Sequence, residues 1–285
     1  MTYFVIGDGP LSLPGPAIVA SRVWGGHAAV YPSSSPPRGV VMARAVVKCA
    51  RPGVVRAVVC RPGRRVVAAA AALRLYGSPG SRSPLVDWYL HEIGVAFERA
   101  SPRDEGNPHP MGQVPALRDG DGVEVWESGV ILSYIADAYG SEGGTPASRA
   151  ELNKWLVWAN ATLDPVLFKE TPDGKVYDTG VRSDKPPRAL AMLEDHLGGE
   201  REWILDSGFS AADCAIGAYL LYILMFFPDA SYARYPAIAQ YMERCASREA
   251  YAQAFGEDTA QALAARCRAF LASEAKPKAK VWPFG

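Results

Sequence analysis

Gly112-Gln113-Val114-Pro115-Ala116-Leu117 and, a few residues on, Trp126-Glu127-Ser128-Gly129 frame the stretch that decides the fold. Between them lie two short strand candidates, Pro115 to Arg118 and Glu124 to Trp126, joined by the turn residues Asp119-Gly120-Asp121-Gly122. Ile131, Leu132, Ile135 and Tyr139 then recur at helical spacing, and Gly140 stands where that helix stops. Working back toward the N-terminus, Leu73-Arg74-Leu75-Tyr76 predicts a strand ended by Gly77-Ser78-Pro79-Gly80. Val86, Tyr89, Leu90 and Ile93 form one helix face with Gly94 as its cap, and Val95 to Arg99 predicts a second strand before a polar, proline-containing loop.

Strand, helix, strand, loop, strand, strand and helix within residues 73–140 is the order of a thioredoxin-like α/β domain. Asn107-Pro108, Gly112 to Leu117, Trp126 to Gly129, Ile131-Leu132 and Tyr134-Ile135 together resemble the signature of the glutathione transferase N-terminal domain. The resemblance extends over nearly all of residues 73 to 255 and implies glutathione as co-substrate, with no metal. It implies an extended peptide ligand paired against the Val114 backbone, in the manner of an added strand, with a cis bond before Pro115. Ser128, a good N-cap type, and the N–H groups of the helix it opens are expected to hold the γ-glutamyl carboxylate. Glu127 would meet the ligand's ammonium, and Gln113 would add a side-chain contact.

Such a protein must hold glutathione as its thiolate, because a thiol of pKa about 8.5 is only a few per cent ionised at neutral pH. Lowering that value by about two units takes roughly 2.7 kcal/mol of preferential stabilisation. A hydroxyl donor at a helix N-terminus supplies part of it. By resemblance the donor lies in the loop after the first strand, where Ser81 is the first candidate and Ser83 and Arg82 are alternatives; Arg82 adds positive potential if it faces the sulfur and is otherwise a solvated side chain. Tyr76 comes too early to be a catalytic tyrosine. No cysteine is in the loop, which disfavours mixed-disulfide chemistry and glutathione-dependent peroxide or dehydroascorbate reduction.

After a Gly, Ser and Pro linker at 141–147, the pattern turns helical with no convincing strand, so residues 148–257 are expected to form an all-α domain and 258–285 a helical extension with a basic tail. Ser210-Ala211-Ala212-Asp213 reads as a capping box ahead of a buried apolar helix. In the helix near Glu151 to Phe168, Trp155, Trp158 and Phe168 are candidates for the apolar wall of a second-substrate pocket, and Asn160 for a polar contact within it. Asn160 to Leu163, taken with Ser81 to Val86 and Trp88-Tyr89-Leu90, is similar to the chi class found in cyanobacteria.

With 285 residues, 49% of them apolar, the chain has material for one or two packed cores. Residues 1–72 carry nine Lys or Arg and one acid, Asp8, so the remainder is near −8 (21 basic against 29 acidic) and offers no field to draw in nucleic acid. The apolar run from Ala215 to Phe227 is shorter than the roughly 20 residues of a membrane span. Five cysteines, in no metal or disulfide spacing, suit a reducing compartment. The basic, acid-poor segment 1–72 resembles a transit peptide, which gives a plastid location as the expectation and the cytoplasm as the alternative. The function expected is conjugation of the glutathione thiolate to small hydrophobic electrophiles by a homodimer. A non-catalytic ligand-binding or scaffold protein of the same fold is the alternative.

Overall fold

The computed structural model describes residues 73–274 apart from 121 and 143, and all of them fall in one compact unit. The segment 1–72, with the targeting expectation placed on it, and the tail from Lys276 lie outside the described residues.

Four strands, β1 (Arg74–Tyr76), β2 (Glu98–Ala100), β3 (Ala116–Asp119) and β4 (Val123–Trp126), make a mixed sheet in the order β2-β1-β3-β4. β1 runs parallel to β2 and antiparallel to β3, and β3 pairs antiparallel with β4. The parallel pair needs a crossover, supplied by α1 (Ser83–Glu92); α2 (Ser128–Ala138) follows β4. The second strand thus begins later than the apolar pattern suggested. Val95 instead closes α1: Gly94 takes φ 66°, its N–H reaches the His91 carbonyl, and the Val95 N–H reaches that of Leu90. This is the doubly bonded helix end that a glycine in the left-handed region permits.

The helical region comprises α3 (Pro146–Trp158), a π-helical turn (Ala159–Leu163), α4 (Asp164–Leu167), α5 (Arg188–Leu197), α6 (Ala211–Phe226), α7 (Pro236–Ala246), α8 (Glu249–Phe255) and α9 (Glu257–Glu274). One continuous helix to Phe168 was expected; the wide π turn interrupts it, and Phe168 has left the helix in extended geometry. The expectation of no strands also fails, because β5 (Lys169–Glu170) and β6 (Val176–Asp178) form a small antiparallel ribbon around Thr171 to Lys175. Their few residues are mostly polar, so alternation leaves no readable signal.

α6 is the axis of this region, buried along most of its length, and α1 and α2 pack against it. Trp88 of α1 inserts among Phe209, Tyr251 and Phe255, its ring 4.9 Å from Tyr251 and edge-on to it. Its indole N–H donates to Glu92 (2.7 Å), which also takes a forked pair from Arg248. Sheet domain and helices therefore share one hydrophobic core. Among the described residues no helix is long and apolar enough to cross a membrane.

Candidate functional site

Three loops converge where the sheet domain meets the helices. The first joins β1 to α1. Here the Ser81 Oγ donates to the Ser78 carbonyl (2.8 Å), accepts the Ser83 N–H (3.1 Å) and lies 2.7 Å from the Ser83 Oγ. With the Ser81 proton on Ser78, the Ser83 hydroxyl is the donor within the serine pair. Tyr222 of α6 donates to the Ser81 carbonyl (3.0 Å) and pins the loop from the helical side.

Of the two readings of Arg82, the solvated side chain is excluded. The residue occupies the N-cap position of α1, is nearly buried, and makes two 2.6 Å hydrogen bonds to the Asp164 carboxylate. Its guanidinium lies 5.5 Å from the Tyr219 ring centre and 6.0 Å from that of Phe168. Burial alone would favour the neutral guanidine, but Tyr219 and Asp164 outweigh it and hold the group more firmly protonated. Burial in turn raises the Asp164 carboxyl, against the pull of Arg82. No local pattern marks this pair, whose members stand 82 residues apart.

The second loop precedes β3. The Val114–Pro115 peptide bond is cis. Asn107 anchors the approach, its amide donating to the carbonyls of Pro102 (3.0 Å) and Gln113 (3.3 Å) while its Oδ1 accepts from the His109 N–H. Among the described residues the Val114 N–H and C=O have no backbone partner. Val114 and Gln113 are half-buried and Pro115 is buried.

The third loop is the turn from β4 into α2. Ser128 was expected as the N-cap; the structure puts Glu127 there and makes Ser128 the first helical residue. The cause is Glu127 itself, at φ 72° and ψ 116°, a region that costs a side chain-bearing residue on the order of 1–3 kcal/mol. That bend turns the strand straight into the helix, so helical geometry starts one residue earlier than a Ser128 cap would allow. The Ser128 Oγ is buried without a hydrogen bond of acceptable geometry among the described residues, although it sits within the electrostatic reach of the Tyr219 phenol. Beside it, a β-carbon on Gly129 would come within 2.7 Å of the Asn160 Nδ2, so this close approach requires glycine. Asn160 accepts the Tyr219 phenol proton at 2.6 Å. Burial pushes the Tyr219 hydroxyl up to about 12, and it stays a neutral donor.

Around the first loop, Gly80, Ser81, Arg82, Phe168, Tyr219, Tyr222 and Phe226 line a narrow, half-open cleft. Phe168 is where the sequence reading expected a wall. Trp155 and Trp158 are not: Trp155 is buried 4.5 Å, ring to ring, from His196 of α5, with Trp158 edge-on to it at 5.4 Å. Asn160 lies at the start of α2 and not among the lining residues. Tyr222 and Phe226, whose rings stack at 6.0 Å, were missed; their spacing on α6 is the trace they leave, hidden in a run that is apolar on every face. Among the described residues no cluster of three or more His, Cys, Asp or Glu side chains could hold a metal.

Capping bonds on α6 are complete. Asp213 accepts from the Ser210 N–H (2.8 Å), the Ser210 hydroxyl (3.0 Å), the Ile204 N–H (2.9 Å) and the Tyr241 phenol (3.2 Å), while Ser210 accepts from the Ala212 N–H. Burial still pushes the Asp213 carboxyl up to about 6.

Residues 71–137 match the family model of the glutathione S-transferase N-terminal domain, and residues 187–244 that of the C-terminal domain. Glutathione S-transferase GstB of Escherichia coli K12 is 30% identical over 151 residues, which is 46% of this chain and 73% of the relative. Glutathione S-transferase 3 of Zea mays is 31% identical over 169 residues, 50% of this chain and 74% of the relative. A solved glutathione transferase family member from Pseudomonas fluorescens Pf-5, with two glutathione bound, superposes with a TM-score of 0.54 at 22% identity, over 65% of this chain and 92% of its own. Two domain matches in order, and relatives covered over most of their length, place this chain in the glutathione S-transferase family.

Proposed function

We propose that the protein conjugates the thiolate of glutathione to small apolar electrophiles. The observation that carries this reading is the position of Ser81, hydrogen-bonded to buried Ser83 at the start of α1 and itself lining a cleft walled by Phe168, Tyr222 and Phe226. With the Ser81 hydroxyl turned from the Ser78 carbonyl, and Ser83 still donating to it, a sulfur lying there would meet a hydroxyl donor and the positive end of a helix on one side, and an apolar surface suited to an aromatic electrophile on the other. Val114 would pair with the peptide backbone, Ser128 and the first turn of α2 would take the γ-glutamyl carboxylate, Glu127 the ammonium, and Gln113 a peptide group.

On a chlorinated nitroaromatic the thiol first gives its proton to solvent. The sulfur then forms a bond to the ring carbon bearing chlorine, and chloride leaves with the carbon–chlorine electron pair. Turnover of that substrate with glutathione tests the proposal. Ser81→Ala should lower kcat about 100-fold, in the usual range for removing a donor to a developing or stabilised anion. Ser83→Ala should do less. Glutathione uptake by calorimetry with no turnover would favour the ligand-binding alternative.

A further inference from the structure

Resting on the transferase reading above, the geometry points to Asp164 as a positioning residue that acts through Arg82 to set how much positive charge the bound thiolate feels. Arg82 shares the loop and the cleft with Ser81, and it stands at the N-cap of α1. A full guanidinium charge there adds to the helix's own positive end. That charge is tempered at 2.6 Å by Asp164, with a side chain about one-fifth exposed.

The helical domain is built to deliver that carboxylate. Asp164 immediately follows the π turn 159–163, and wide turns of this kind re-phase the side chains that follow them. Here the turn lets Asn160 and Asp164 both reach the sheet domain, Asn160 at the start of α2 and Asp164 at the start of α1. Among the described residues, Tyr219 and Tyr222 from α6, both held neutral by burial, and Glu170 of β5, whose charge opposes ionisation of Asp164, also face the pair. No other cation among the described residues lines the cleft. Among the described residues that line or meet the cleft, Arg82 and Asp164 are opposite charges in direct contact beside Ser81, and removing one or the other should shift the potential there in opposite directions.

A purely structural pair and a charge-setting pair behave differently, because both would lose stability with either partner, whereas only the second moves the thiol in two directions. Glutathione bound to the full-length protein would be titrated by its thiolate ultraviolet absorbance, with thermal melting run alongside. Asp164→Asn keeps the shape and removes the negative charge; the thiol's midpoint should fall by about one pH unit. Arg82→Gln should raise it by about one unit, at the low end of what a neighbouring charge does. The double variant should return near the wild-type midpoint, and Arg82→Lys should stay close to it throughout. Shifts in the same direction, or none, with glutathione still bound would overturn the inference while leaving the transferase reading intact. Should Asp164→Asn not fold, Asp164→Glu must leave the midpoint in place while Arg82→Gln still raises it, and failure of either overturns the inference. Wild-type protein that takes up no glutathione would overturn the transferase reading itself.

Discussion

Two helix starts in this protein use the same residue types for opposite ends. At α6, Ser210 and Asp213 consume one another's hydrogen-bonding capacity and add Ile204 and Tyr241, so little is left for a ligand. At α2, Glu127 sits in a left-handed conformation and the buried Ser128 hydroxyl, beside the Tyr219 phenol, closes no capping bond among the described residues. The first arrangement contributes stability; the second gives some up and keeps donors open toward the place where an anion is expected. A serine followed by an acid, or preceded by one, does not itself distinguish the two. What distinguishes them is whether the bonds close within the chain.

Substitutions at these two starts can break that contrast. The largest effect is expected from Asp213→Ala, which strands buried donors on Ile204 and Ser210 and leaves Tyr241 only the backbone carbonyl of residue 213. Urea unfolding should show a loss of about 3 kcal/mol, while the glutathione Kd of the folded fraction stays unchanged. A loss well under 1 kcal/mol would mean that the box is decoration. Next comes Ser128→Ala, for which the prediction is reversed: glutathione affinity should drop about tenfold, the worth of roughly one hydrogen bond to a charged group, with the urea midpoint steady or slightly higher. A destabilised variant with normal affinity would make Ser128 a structural residue like Ser210. Smallest is Glu127→Gly. Relief of the left-handed backbone should add about 1 kcal/mol of stability, and glutathione should bind more weakly because the carboxylate for its ammonium is gone. An unchanged unfolding curve would show that the conformation is not strained.

Much of this architecture could be read from local pattern. The Gly94 closure, the Ser210–Asp213 box, the helix faces of α1 and α2 and the extra helix past residue 257 all follow from spacing and turn chemistry within a few residues. What escaped the sequence was set by partners far along the chain. Arg82 looks like a solvated cation until Asp164 is folded against it. Trp155 looks like a pocket wall until His196 of α5 covers it. The π turn leaves no periodic trace in five residues, and the conformation of Glu127 runs against every preference of glutamate.

Arg266 of α9 has a bearing on how this protein can be handled. Its guanidinium collects the carbonyls of Leu224 (2.7 Å), Phe227, Pro228 and Ala230 (2.7 Å), the acceptors that the end of α6 leaves open. Since α6 also carries Tyr222 and Phe226 to the cleft, the final helix holds the far wall of a site it never touches. A polypeptide trimmed to the family-matched boundaries, ending near residue 244, would shed that clamp. Expression boundaries, protease sites and fusion junctions are therefore best set beyond Ser273.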